Sequence, residues 1–268
     1  IHLRGLAQPV ELKTLRPIEL QPTSIVSPGP ATPSPVAANV VEEFTESAIK
    51  KLVPLTDGGM VVALEEGGVR ALDASGEVRW QADLVGPVHD ADAGSELIFV
   101  GHGEASLSAL QLRDGGLAWT YEIERIPSSC SWWEWPTPAA FCVVAAQSDS
   151  GFDGVVVGCG DIQMRRFDAA GNCLWNYRYV NGIPGTIRLV DVNGDGMDKI
   201  IVGGEVMSNC CHCRVVDASG QQLQEVEVEG WTSRMTALAV AEGEPTYLAF
   251  GATRGRNLYF LKTDPGID

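Results

Sequence analysis

The sequence predicts an all-β protein, a β-propeller of about five visible four-stranded blades preceded by a proline-rich linker. Three observations predict it. Turn glycines recur at Gly76, Gly115, Gly171 and Gly220, and four residues after each stands Trp80, Trp119, Trp175 and then Gln224. Spacings of 39, 56 and 49 residues, the differences between those positions, are the length of a four-stranded blade with variable loops. Between the turns lie short apolar, β-branched runs (60–64, 97–101, 155–158, 200–203 and 247–251) with almost no helical periodicity.

Taken in order, residues 1–20 hold one alternating run, Val10 to Leu15, that reads as a strand, and twenty residues cannot bury a core alone. They form the end of a preceding domain or a stray strand. Residues 21–38 contain five of the fifteen prolines among Ser, Thr and Ala, the composition of a semi-rigid linker. The propeller is expected from 39 to 268. A glycine at each turn supplies positive φ, and the Trp that follows is large enough to staple one blade to its neighbour. Gln224 breaks that staple in the fourth unit. The fifth unit ends soon after Gly266 without an outermost strand, which Val40–Phe44 is placed to supply in a closed five-bladed ring. The alternative is a ring of six to eight blades of which this chain is part.

The chain has 268 residues, 45% hydrophobic and 20% charged, an ordinary globular composition. A net charge of −16 excludes nucleic acid and anionic membrane surfaces as partners, because both need a basic face. No apolar run is long enough to insert in a membrane. The sequence does not begin with Met and shows no signal-peptide apolar core, which suggests a piece of a longer protein. Seven cysteines (130, 142, 159, 173, 210, 211 and 213) read mostly as buried thiols in a reducing, cytoplasmic setting. An extracellular or periplasmic setting is the alternative, marked by disulfides among Cys130, Cys142, Cys159 and Cys173.

VRALDASGEVRW (69–80) and FDAAGNCLW (167–175) resemble the quinoprotein-type (PQQ-like) blade, and VDVNGDGMDKIIVGG (190–204) resembles the FG-GAP repeat of integrin-type propellers. The second resemblance implies a calcium ion held by Asp191, Asn193, Asp195 and the carbonyl of Met197. The ninth position is Lys199 in place of an acid, and Asp198 stands one residue early. The loop is therefore either a Ca2+ site completed by Asp198 or an Asx-type turn without metal. The matching stretch of the preceding unit, 147–153, keeps Gly151 and Asp153 but has Ser148 and Ser150 where acids are needed. HLRGLAQPVELKTLRP (2–17) is similar to the closing segment of class III nucleotidyl cyclase domains through Leu3, Gly5, Leu6, Pro9, Val10, Glu11 and Leu12. It holds none of that family's metal or base-recognition residues. The resemblance implies a parent protein that joins a cyclase-like domain to this propeller.

Trp132, Trp133 and Trp135 lie in a proline-bounded loop in the longest interval between units, where they either cap the channel mouth or offer an aromatic ligand surface. Cys210, Cys211, His212 and Cys213 are adjacent on a strand, so at most Cys211 and Cys213 share a side, and Cys213 aligns with the core residue Val69. A core thiol is expected there ahead of a zinc or redox site. Asp90, Asp92 and Glu96 read as an acidic turn, a solvated hairpin ahead of an acid/base pair. No nucleophile elbow or phosphate loop is present in the sequence. The reading is a non-catalytic protein-interaction or ligand-sensing module of a larger signalling or complex-forming protein. A protein partner is expected, or a small-molecule or glycan ligand. A carbohydrate- or redox-active propeller enzyme and an extracellular adhesion propeller are the rivals.

Overall fold

The computed structural model describes residues 47–126, 137–146, 153–178, 183–192, 196–205, 210–229, 232–238, 247–252 and 258–262, with side chains described up to residue 225 except 205 and 210–212. The first blade is β1 (Ile49–Pro54), β2 (Met60–Leu64), β3 (Gly68–Leu72) and β4 (Val78–Asp83), an antiparallel meander in which every strand pairs with the next. The second blade repeats it with β5 (Val88–Ala93), β6 (Leu97–His102), β7 (Ser106–Gln111) and β8 (Leu117–Glu122). The third comprises β9 (Ala140–Ala145), β10 (Val155–Cys159), β11 (Gln163–Phe167) and β12 (Cys173–Arg178). The fourth comprises β13 (Ile183–Val190), β14 (Lys199–Glu205), β15 (Cys210–Val216) and β16 (Gln222–Glu229). A fifth sheet, β17 (Thr232–Leu238), β18 (Tyr247–Ala252) and β19 (Leu258–Lys262), has three described strands. The all-β propeller read from the repeat is the fold observed. Val40–Phe44 lies outside the described residues, as do 1–20 and the linker.

The sheets stand radially. The first strands of the blades, β1, β5, β9, β13 and β17, pack one on the next and form the inner wall. The fourth strands lie outside and alternate exposed with half-buried residues along β8 and β12. The middle strands are buried on both faces, β6 and β10 along their whole length, which is why they read as unbroken apolar runs. The apolar cores lie between blades rather than within them. Val61, Ala63 and Val69 of the first blade pack with Ala91, Ile98 and Val100 of the second. Leu107 and Ala109 meet Val143, Val157 and Phe167 of the third, and Val156 and Met164 meet Ile187, Ile200 and Val202 of the fourth.

The first three seams each carry a staple. Trp80 is 8% exposed, its Nε1 donates to the carbonyl of Leu112 at 2.8 Å, and its ring lies against Gly115 of the next blade. Trp119 repeats this on Ala169 (2.9 Å) and Gly171, and Trp175 on Ala218 (2.9 Å) and Gly220. Gly171 has φ of 88°, and a Cβ there would stand 2.8 Å from Trp119 Cδ2, so the position requires glycine for conformation and for space. The repeated Gly and Trp are thus the two halves of one contact, one blade apart.

Asp90 and Asp92 lie on the inner strand β5, not in a turn as the sequence suggested. β9 is the inner edge of its sheet, so the N–H groups turned away from β10 need acceptors from elsewhere. Val143 N donates to Asp90 Oδ2 and Ala145 N to Asp92 Oδ2, each at 2.9 Å, while Lys51 Nζ lies 2.6 Å from Asp90 Oδ1. Two carboxylates two residues apart therefore seal the next blade's edge. Burial pushes the Asp92 carboxyl above its ordinary 3.8, against the pull of its N–H donors. An acid raised in the folded state contributes stability below its unfolded pKa, and that contribution is lost as pH rises through the folded pKa. In thermal melts from pH 3 to 7, the Tm advantage of wild type over Asp92→Asn is expected to be largest at the acid end and to shrink toward neutrality.

Candidate functional site

The connection from β8 to β9 is the one the sequence marked as longest. Its tip, which includes Trp132, Trp133 and Trp135, lies outside the described residues, but both ends of its stem are defined. Ile123 N donates to Ala105 O at 2.7 Å, and on the returning side Gly160 N donates to Ala139 O at 3.0 Å. Between them, Arg165 Nη2 donates to Glu124 O at 3.0 Å and Ile126 N donates to Asp161 Oδ2 at 3.0 Å. The stem is held by the tight β10–β11 hairpin of the third blade.

That hairpin is built around a buried ion pair. Arg165 Nη1 reaches Asp161 Oδ1 at 2.9 Å and Nη2 reaches Oδ2 at 2.6 Å, a bidentate contact with side-chain exposures of 4% and 0%. A pair this buried keeps its charges only where its remaining donors and acceptors are satisfied, and here Glu124 O accepts from the guanidinium and Ile126 N donates to the carboxylate. The next residue, Ile162, has φ of 61° and is fully buried. A β-branched residue in the left-handed region costs on the order of 1–3 kcal/mol, and the surrounding bonds hold it there.

Sequence reasoning passed over Asp161 and Arg165, although a signal existed. The β-ladders put Arg70, Arg165 and Arg214 at one register position, opposite Val62, Val157 and Val202. Each has an acidic partner: Asp83 at 3.1 Å for Arg70, Asp161 for Arg165, and Glu225 at 3.2 Å for Arg214. In the second blade the same place is Ser108, bonded to His102 Nε2 and Thr120 Oγ1 at 2.8 Å each. A recurring arginine two residues before an apolar residue and Asp was therefore legible as a polar slot in the first, third and fourth blades. In the third blade it reaches across to the loop that arrives from the second.

The other sequence-marked residues are separated. Asp191, Met197 and Asp198 are described at the β13–β14 connection, whereas Asn193 and Asp195 are outside the described residues. Asp191 Oδ2 accepts from Gly196 N at 2.9 Å, and Lys199 Nζ donates to Met197 O at 3.2 Å. That carbonyl is the one the FG-GAP resemblance assigns to calcium, so an ammonium and a cation compete for one oxygen. Cys213 is 1% exposed in the core at the place of Val69, as expected, and Cys210, Cys211 and His212 have no described side chains. Cys142, Cys159, Cys173 and Cys213 are free thiols. Burial pushes the Cys142 and Cys159 thiols up to about 12, which keeps them protonated and unreactive at neutral pH.

Radial four-stranded blades, stapled by Trp on Gly, define a propeller of quinoprotein-type repeats. A family model described as outer membrane protein assembly factor BamB matches residues 39–208, well over half of the chain, and the chain belongs to that PQQ-like family. No curated protein matches the sequence significantly. Among solved structures, BBS1N in complex with ARL6DN is 15% identical with a TM-score of 0.64, covering 84% of this chain and 69% of that one. The Cps50 (Swd1) β-propeller domain of Myceliophteria thermophila is 15% identical with a TM-score of 0.56, covering 80% and 70%. At such identities these likenesses concern the fold.

Proposed function

We propose that the chain is a non-catalytic docking propeller that binds a protein partner through the Trp132–Trp133–Trp135 loop, as a module of a larger complex-forming protein. The observation that carries this reading is the buried Asp161–Arg165 clasp on the loop's stem. A strained hairpin and a buried ion pair are costly ways to hold a loop's stem, and clustered tryptophans are the residue type on which protein-binding hot spots are built. The solved BBS1N propeller is itself seen with a protein, ARL6DN. The test is affinity isolation from the source cells with wild type and with Trp132→Ala, Trp133→Ala and Trp135→Ala combined. A hot-spot tryptophan contributes about 2 kcal/mol or more, so at least one specific protein should fall by at least ~30-fold in the combined variant while Tm is unchanged. Equal retention of every bound protein by the folded triple variant defeats the reading.

The 190–204 segment enters this reading as a braced turn in which the Lys199 ammonium stands where the FG-GAP resemblance would place calcium. The support is the bond to Met197 O from a lysine that is 8% exposed. Calorimetric titration of wild type is expected to show no saturable heat below about 1 mM calcium, a range in which weak extracellular-type sites still bind. Lys199→Asp, which returns a carboxylate to the ninth position, is expected to gain binding. Saturable wild-type binding abolished by Asp195→Ala would restore the metal reading.

A further inference from the structure

Consecutive strands of each blade run antiparallel, so the β2–β3 and β6–β7 hairpins and the β4–β5 and β8–β9 connections emerge at one end of the propeller. The stem of the Trp loop stands at this end, beside a corner locked by backbone bonds. Leu84 N donates to Gly67 O at 2.9 Å, Val88 N to Glu65 O at 3.0 Å and Gly103 N to Pro87 O at 2.9 Å. His102, 5% exposed, gives its Nδ1–H to Val85 O at 2.9 Å, and Ile123 N ties the same hairpin to the Trp-loop stem through Ala105 O. The residues between these bonds stay outside: Val85 is 88% exposed, the most of any described large hydrophobic residue, and Pro87 is exposed beside it. Glu65, Glu66 and Glu104 belong to the knitted turns and Glu124 to the stem. All are exposed, and their carboxylates accept no bond from any described residue. The turn aspartates at the other end, Asp73, Asp168 and Asp217, each serve their own turn instead. Arg70 is held by Asp83, which leaves Lys50 and Arg125 as the cations near the corner.

We propose that Val85 and Pro87 are an apolar anchor of the docking face, and that the protein partner meets them with an apolar socket rimmed by lysine and arginine. A side chain left almost wholly in water gives little to folding, and bonds that do not involve it fix its backbone, so burying it against a partner costs little ordering. An apolar centre inside a polar rim is the anatomy of a protein interface. Carboxylates that serve no turn and no ion pair are free to steer a basic surface onto that centre. The inference rests on the docking reading and deepens it by stating what the partner presents.

A photoreactive benzophenone side chain placed at Val85 of the whole chain, with one at Val78 on the outer strand β4 as control, is photolysed in extract of the source cells, and the crosslinked protein is identified and purified. Its binding is then measured to wild type, to Val85→Ser, to a variant combining Glu65→Gln, Glu66→Gln and Glu104→Gln, and to a control at the other end, Glu77→Gln with Glu96→Gln. Crosslinking is expected from position 85 and not from 78. Val85→Ser should weaken the affinity about tenfold. The triple glutamate variant should slow association at least about fivefold at low salt and lose most of the salt dependence, while the control stays within about twofold of wild type. These changes are all at exposed side chains, so Tm should not move. No crosslink from position 85 beyond that from 78 overturns the inference, as does a partner indifferent to Val85→Ser or to the three glutamates. A protein lost by the triple tryptophan variant yet never crosslinked from position 85 keeps the docking reading and sinks this one. A crosslinked partner weakened by Val85→Ser but fully retained by the folded tryptophan variant does the reverse.

Discussion

Replacing Asp161 by alanine is expected to destabilise the protein by about 3–5 kcal/mol, the cost of leaving a buried charge uncompensated. Arg165, with its side chain 4% exposed, would lose both carboxylate oxygens, while Ile126 N would lose its acceptor. Denaturant unfolding followed by circular dichroism measures the loss. Removing both charges at once, as Asp161→Ala with Arg165→Met, should cost less than Asp161→Ala alone, because an apolar pair strands no charge. If the double change costs as much as the sum of the single ones, the ion pair is not the unit that holds the hairpin. The single variant should also speed amide exchange at Ile123 and Ile126, the described stem of the Trp loop, before any other part of the second and third blades.

Trp80→Ala is the second large effect, about 3–5 kcal/mol, from lost apolar burial and the cavity left against Gly115. The indole is 8% exposed, packs in the cluster with Val61, Val88 and Leu110, and gives its N–H to Leu112 O at 2.8 Å. The receiving position is a glycine in a turn with φ of 72°, which has no side chain to move into the space. Gln224→Ala, at the equivalent place in the fourth blade, is expected to change stability by less than about 1 kcal/mol, since it deletes an oxygen that has no partner. A comparable loss at the two positions would mean that the indole adds nothing beyond filling volume.

The blades were legible because each is a local meander. The polar turn, the glycine that permits it and the apolar runs on either side lie within about forty residues of one another, so the repeat exposes them without tertiary information. The staple was half legible: the Trp and the Gly were both visible, and the turn conformation explained the Gly. That the two touch each other across a seam follows only from the radial stacking, which puts the outer strand of one blade over the turn of the next. The free thiols of Cys142, Cys159, Cys173 and Cys213 agree with the reading of buried core cysteines for three of the four, Cys173 being exposed.

The candidate site divides in the same way. Composition and clustering pointed to the three tryptophans, but what grips their loop is an ion pair in another blade, about thirty residues on, that looked like ordinary strand and turn polarity. Asp90 and Asp92 were misread for a related reason. An acid on a strand is a solvated group until a neighbouring sheet presents unpaired N–H groups to it, and those come from β9, some fifty residues later. The sequence by itself determined the repeat unit, its turns and which residues are apolar, because those depend on φ, side-chain volume and period within one blade. The tertiary structure alone decided which charges are buried and whom they serve, because the polar groups left over at one blade's edge are satisfied only by the blade beside it.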